Sequence, residues 1–385
     1  MKLLHLSDLH LGKSLRDFDL IEDQEYILDR ILAIIDKQSI DAVLIAGDVY
    51  DKSIPSEAAT RLLDSFLSKL ASKGVKVFMI SGNHDSDDRL NYGSRIFESK
   101  QIYISAIYDG SLNKYVLGDG DDEVNIYMLP FVKASQVRHY FPDSDIKTYE
   151  DAVRVIIENA DIDERKKNVL IAHQFVIGSG EDPVLGGSES AGTQSVGLVE
   201  KISYKLFDKF DYVALGHIHS PQRVGRDEVR YSGTPLKYSL SEVNNEKSVP
   251  VITIDEKEGV GIDYVSLKPL RDMRHIKGKM KDLLDKSNVT DTQDYIYVTL
   301  TDEDIINDAM GIFQQTYPNT VKIFYDNAHT REVEQVDISE IAQNRSFTEL
   351  ISDFYSLMYN CEISDEEMEV IRMTAREAGV IDEAD

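Results

Sequence analysis

Six short apolar runs punctuate the first 220 residues: "KLLHLS" from Lys2, "DAVLIAG" from Asp41, "VKVFMIS" from Val75, "VNIYMLP" from Val124, "NVLIAH" from Asn168 and "DYVALGH" from Asp211. They are nearly continuous in apolar residues, as strands covered on both faces are. Between them the period changes. Leu20, Ile27, Ile31, Ile34 and Ile35 recur at helical spacing, and so do Leu62, Leu63, Phe66, Leu67 and Leu70, entered through Pro55 and a predicted N-cap at Ser56. Strand and helix in alternation predict an α/β architecture, and the residues alone suggest a doubly wound parallel sheet.

The remainder reads differently. From about residue 222 to 267 come short strands and turns, "EVRYSGTP", "SVPVITID" and "GIDYVSL". A basic stretch follows, then "DYIYVTL" (294–300), a helix-like segment from Asp304 and "TVKIFYD" (320–326), together a small α+β domain. Residues 331–345 are polar and read as a linker. Two helices close the chain, each opened by a capping box, Ser346 with Glu349 and Ser364 with Glu367. The expected domains are 1–267, 268–330 and 346–385, the last two joined by the linker.

Composition narrows the class. A single cysteine, Cys361, excludes an intramolecular disulfide and a thiolate zinc site. No apolar run has membrane-spanning length, and the segment before Asp8 is too weak for a signal peptide, so a cytoplasmic protein is expected. The net charge of −27 argues against a simple nucleic-acid binder, which usually carries a basic footprint.

The residues at the ends of the apolar runs carry the chemistry. The first run ends in Asp8 and His10, the second in Gly47 and Asp48, and the third in Gly82, Asn83, His84 and Asp85. "NVLIAH" ends in His173, and "DYVALGHIH" in His217 and His219. In open α/β sheets, ligands bind beyond the carboxyl ends of strands, so five separate runs can converge on one site. Each element alone is ordinary: a D-x-H is mostly structural, a Gly-Asp is a turn, and an N-H-D is a turn or an N-cap. The ordered set is not ordinary. Oxygen and nitrogen donors without sulfur suit manganese, iron or zinc. Seven donors are too many for one tetrahedral ion and suit two ions about 3.5–4 Å apart sharing a carboxylate. Asp48, in the middle of the motif order, is the natural bridge. His5, inside its strand, reads as a core histidine, and His139 and His329 as structural or surface residues.

The series D-x-H, G-D, G-N-H-D, H, G-H-x-H resembles the calcineurin-like metallophosphoesterase superfamily over about residues 1–220. More narrowly, "GDVYDKSIPSEAA" (47–59), "DYVALGHIHSPQ" (211–222), "RYSGTPLKYSLSE" (230–242) and "PLRDMRHIKG" (269–278) resemble the bacterial nuclease subunits of double-strand-break repair complexes, over nearly the whole chain. Asp51 supports the bacterial branch, because archaeal and eukaryotic relatives tend to carry histidine there.

The resemblance implies a β-sandwich flanked by helices, in place of the doubly wound sheet, with a small α+β capping domain and a C-terminal helical pair. It implies two divalent ions, most naturally Mn2+. Asp8, His10, Asp48 and His219 would hold one ion, and Asp48, Asn83, His173 and His217 the other. His84 would be the catalytic histidine with Asp85 as its orienting partner. It also implies a DNA substrate, an SMC-like ATPase partner and a homodimer. The dimer would form through helices near residues 56–72 and 86–99, with Ile96 and Phe97 half-buried in the interface.

Two further segments bear on function. Lys268, Arg271, Arg274, Lys277, Lys279 and Lys281 surround one acid, Asp272; they could track a DNA backbone or form a solvated face. Phe347, Leu350, Ile351, Phe354 and Leu357 make one apolar stripe, and Met368, Ile371 and Met373 add to it before Gly379, a predicted C-cap. Such a stripe either packs back on the chain's own domains or fits an apolar groove on a protein partner, which the resemblance names as the coiled-coil base of the ATPase. The competing functions are a stand-alone metallophosphoesterase acting on nucleotides or phosphoproteins, and a scaffold that kept the fold without catalysis.

Overall fold

The computed structural model describes residues 1–120, 123–178, 183–187, 201–255, 259–327, 347–359 and 363–377. Two six-stranded sheets make a sandwich. In spatial order the first contains Gly259–Ser266, Ser248–Asp255, Lys2–Leu6, Ala42–Ala46, Lys76–Ile80 and Ile102–Ser105. The last four are parallel, and Ser248–Asp255 pairs antiparallel with Lys2–Leu6. The second contains Gln222–Val224, Arg226–Tyr231, Tyr212–Gly216, Lys167–His173, Val124–Leu129 and Asn113–Leu117. Its four central strands are parallel.

All six apolar runs are strands. The doubly wound expectation is corrected: each sheet carries helices on one face only. Its other face meets the partner sheet, where Leu44, Phe78 and Ile252 pack with Ile126, Ile171 and Tyr212. A continuous apolar run states that both faces are covered, but not whether by helix or by sheet.

Helices Ile21–Gln38 and Glu57–Ser72 cover the first sheet through Ile27, Ile31, Ile35, Leu63, Phe66 and Leu70. Ser56 caps the second of these, its Oγ accepting the Ala59 N–H at 3.2 Å. Helix Tyr149–Glu158 covers the other sheet and opens with a capping box between Thr148 and Asp151. His5 is a core histidine, its Nδ1 3.0 Å from the Tyr212 hydroxyl between the sheets. His139 is exposed on helix Ala134–Tyr140.

Near residues 86–99 the chain forms only single-turn helices, Asp87–Leu90 and Ser94–Phe97. Ile96 is 74% exposed, whereas Phe97 packs against the core. Phe97 is itself only partly buried.

Beyond the sandwich, strands Met273–Gly278, Tyr295–Leu300 and Thr320–Tyr325 form a three-stranded sheet. The helix expected from Asp304 begins later, at Ala309, with the Asp308 carboxylate accepting the Gly311 N–H. The chain divides into two compact units. One holds Met1–Lys277, Lys281–Val298 and Asp308–Ile323, the other Gly278–Met280, Thr299–Asn307 and Phe324–Asp385. In the second, helices Phe347–Tyr359 and Asp365–Glu377 meet through Tyr355 Oη on Glu367 (2.8 Å) and Arg372 on Thr348 Oγ1 (2.8 Å). The Ser364–Glu367 capping box forms, at 3.0 and 3.3 Å. Ser346, the 331–345 linker, His329 and Gly379 lie outside the described residues. Among the described residues, no helix is long and apolar enough to cross a membrane.

One buried ion pair lies within the sandwich, ahead of strand Ser248–Asp255. Lys247, 4% exposed, sits 2.6 Å from the fully buried Glu242. Its Nζ also donates to Thr234 Oγ1 at 2.7 Å and to the His219 carbonyl at 3.0 Å. Removing one partner leaves a buried charge unpaired. Lys247→Ala is expected to cost about 3–5 kcal/mol, read as a lowered urea midpoint for the sandwich.

Candidate metal centre

The donors reach their places because each follows the carboxyl end of a strand. The backbone holds them under strain. Asp8, His10, Asp48 and His217 all have positive φ, at 51°, 43°, 47° and 97°, a region non-glycine residues rarely occupy. Three backbone bonds lock the first two loops together: Asp8 N–H to the Gly47 carbonyl (3.0 Å), His10 N–H to Asp48 (3.0 Å) and Leu11 N–H to Val49 (2.9 Å).

Asp48 lies at the centre. Its Oδ2 is 3.4 Å from His173 Nε2, 3.7 Å from His10 Nε2 and 4.0 Å from His84 Nε2, and its Oδ1 accepts the His84 N–H at 2.9 Å. Around it the other donors crowd together. His10 Nε2 and His219 Nε2 are 3.1 Å apart, and His219 Nε2 is 4.0 Å from Asp8 Oδ1. Asn83 Oδ1 lies 3.1 Å from His173 Nε2 and 2.9 Å from His217 Nδ1. All seven expected donors thus meet in one place, and Asp8, His10 and His219, like Asp8, Asp48 and His173, are close enough to share an ion. Two glycines make the closeness possible. A Cβ on Gly82 would strike the Asp48 carboxylate, and one on Gly47 the His173 ring.

The charge state of the cluster fits a cation. Burial holds His10 and His219 below the usual imidazole range and pushes His217 down to about 3, so it favours the neutral ring at all three. Burial raises Asp8 to about 7. Burial also opposes charge on His173, yet the Asp48 and Asp8 carboxylates outweigh it and push that imidazole up to about 9. The His173 Nδ1–H is committed to the Ala46 carbonyl at 2.8 Å, which turns Nε2 toward Asp48 and Asn83. A proton on Nε2 then occupies the place a metal ion would take.

His84 differs from the others. Its side chain is 23% exposed, against 2% for Asp48. Its Nδ1 is 3.0 Å from the Asp51 carbonyl, which leaves Nε2 toward the centre. The expectation that Asp85 orients His84 is corrected here. Asp85 accepts the backbone N–H groups of Val49 (3.1 Å), Tyr50 (2.9 Å) and Gly82 (2.9 Å), and so clasps the "GDVY" and "GNHD" loops to each other. Adjacency in sequence suggests a partnership, but the turn aims the carboxylate the other way.

Several residues outside the donor set support it. Gln24, on the buried face of its helix, donates to the His10 carbonyl (2.7 Å) and accepts the Gly12 N–H (2.9 Å). The Tyr238 hydroxyl donates to the Leu9 carbonyl (2.6 Å), and its ring meets His10 edge-on. Ser7 bridges Asp8 and Ser232. Gln24, buried with Asp23 on a helix face that is otherwise apolar, is a readable signal among them. The basic stretch is partly spent internally: Arg271 pairs with Glu22 and Asp23, and Arg274 with Asp294 at 2.7 Å.

The roles of His84 and Asp85 separate by experiment. Asp85→Ala strands three N–H groups and is expected to weaken manganese binding about 10–100-fold in calorimetric titration. His84→Ala is expected to leave that affinity unchanged.

Comparison with known proteins gives the family. The calcineurin-like phosphoesterase family model matches residues 1–221, and the type 5 capsule protein repressor C-terminal domain model matches residues 269–359. The SbcD subunit of the SbcCD nuclease of Staphylococcus epidermidis is 34% identical over 379 residues, covering 97% of each chain. A solved dimetal phosphatase from Danio rerio aligns with 70% of this chain and 99% of its own at 11% identity and a TM-score of 0.37. The chain belongs to the SbcD family of nuclease subunits, metal-dependent phosphodiester hydrolases built on a calcineurin-like phosphoesterase domain.

Proposed function

We propose that this chain is the nuclease subunit of an SbcCD-type complex. In this reading it hydrolyses DNA phosphodiester bonds with two Mn2+ ions, as an exonuclease on double-stranded ends and an endonuclease on single-stranded and hairpin DNA. The processes served are DNA repair, replication and recombination in the cytoplasm. The observation that carries the reading is the meeting of seven oxygen and nitrogen donors around Asp48, with one accessible histidine beside them.

Asp8, His10, Asp48 and His219 would hold one ion, and Asp48, Asn83, His173 and His217 the other. When bound, the pair supplies Lewis acidity to the phosphate and lowers the pKa of the attacking water. The chain's own residues do the rest. The Ala46 carbonyl fixes the tautomer of His173. Lys247, through the His219 carbonyl, fixes the backbone of a second donor. Protonated His84, with Nδ1–H held by the Asp51 carbonyl, presents Nε2–H to the leaving oxygen, which needs a proton as its bond to phosphorus breaks.

The wider assembly rests on the domain plan of 1–267 for the nuclease domain, 268–330 for capping and DNA recognition, and 346–385 for partner binding. Exposed Ile54, Tyr92 and Ile96 support a homodimer near residues 56–72 and 86–99. Phe354, 60% exposed, together with exposed Val370 and Met373, supports an SbcC-type ATPase as the partner of the terminal helices.

The deciding experiment is a manganese-dependent nuclease assay on single-stranded and hairpin DNA, with and without the ATPase subunit. His84→Ala is expected to lose about 10²–10⁴-fold in rate while keeping its metal; full activity would refute its role. Leu350→Asp with Phe354→Asp is expected to abolish co-purification of the ATPase subunit without changing manganese binding.

A further inference from the structure

Strands Val124–Leu129 and Lys167–His173 run parallel and adjacent in the second sheet. Each ends two residues before a phenylalanine, Phe131 and Phe175. Neither ring belongs to the donor set, yet both stand beside it. Phe131 lies 6.3 Å from the His173 ring at 82°, and Phe175 lies 6.1 Å from the His217 ring at 85°. The two imidazoles are 5.2 Å apart. In order of contact the rings therefore run Phe131, His173, His217, Phe175, with both phenylalanines flanking the half of the site that also holds Asn83.

Phe131 tilts against Tyr149 at 6.2 Å and Phe175 packs against the second sheet's core, but neither residue is fully enclosed. Leu129, Val132 and Val176, their apolar neighbours in sequence, are completely buried, whereas both phenylalanines stay partly exposed. Their backbones are fixed: the Phe131 N–H donates to the Ser81 carbonyl at 3.0 Å, and the Phe175 carbonyl accepts the Ile202 N–H at 2.9 Å. Large apolar rings have been left accessible, on rigid supports, beside a polar cluster.

Charge says what such rings can hold. A chain of net charge −27 gains little from attracting a phosphate backbone, and Lys13, beside the donors, is tied to Asp51 at 2.8 Å. A single strand can instead be held through its bases, whose flat faces stack on aromatic side chains whatever the sequence. We propose that Phe131 and Phe175 form a nucleobase-stacking subsite that seats the unpaired nucleotides flanking the scissile phosphate. This rests on the reading of the chain as a DNA hydrolase and deepens it, because a stacked base must first leave its duplex. The site then favours strands that are already single or easily melted.

The test compares a single-stranded oligonucleotide with the same strand carrying abasic nucleotides on both sides of the scissile bond. Phe131→Leu and Phe175→Leu keep apolar volume but remove the aromatic face. Each is expected to lower kcat/KM on the natural strand by about 5–100-fold, and to change the abasic strand by about twofold or less. Phe→Tyr at either position should restore the natural rate. In a binding readout independent of turnover, 2-aminopurine placed beside the scissile phosphate should be quenched by the manganese-loaded wild-type chain and stay bright with the Leu variants. Equal losses on both strands, or unchanged quenching, would overturn the subsite. A wild-type chain that cuts neither strand would overturn the nuclease reading instead, and the 2-aminopurine signal would still decide the subsite.

Discussion

The Asp48 carboxylate is the constraint around which the sandwich is arranged. It is buried, it stands within 4.0 Å of three imidazole nitrogens, and it follows a strand of the first sheet while His173 ends one of the second. A carboxylate removed from water is costly unless charge or hydrogen bonds compensate it. Here the compensation must come from both sheets at once. The sandwich thus brings its two parallel cores together at the point where their strands end, and the requirement of one charged group fixes how the loops above them close.

The cost of that closure is visible in the backbone. Four of the donor residues adopt left-handed conformations, and glycines stand where any Cβ would meet a carboxylate or a ring. Strain of this kind persists only where surrounding bonds over-determine the loop. Asp85, Gln24, Tyr238 and Lys247 provide those bonds, through backbone N–H and carbonyl groups of the donor loops. None of the four needs to touch substrate or metal to matter. They hold the donor loops in place before any ion arrives, which keeps the donors at coordinating distance and lowers the reorganisation that binding demands.

The seven donors are readable in the sequence because each sits at the carboxyl end of an apolar run, where chain direction alone predicts convergence. Their supports are not readable. Lys247 reaches the His219 carbonyl from 28 residues away, and Tyr238 reaches Leu9 from 229 residues away, each toward a backbone group that has no sequence signature. Asp85 misleads for the same reason. Its neighbour His84 suggests a dyad, but the turn after Lys76–Ile80 points the carboxylate at three N–H groups and gives His84 to the Asp51 carbonyl.

By itself, the sequence determined the order of the main strands and helices, the residues that converge at the strand ends and the class of chemistry their types support, because period, strand polarity and ligand type are local properties. Only the tertiary structure decided that two sheets face each other, since a run covered on both sides does not name its cover. It also decided which of two adjacent residues, His84 or Asp85, faces the centre, because a change in backbone conformation at a tight turn reverses a side chain's direction without changing a letter. Finally, it placed Phe131 and Phe175, unremarkable in the sequence, at the rim of the site, because parallel strands end together only once they are paired.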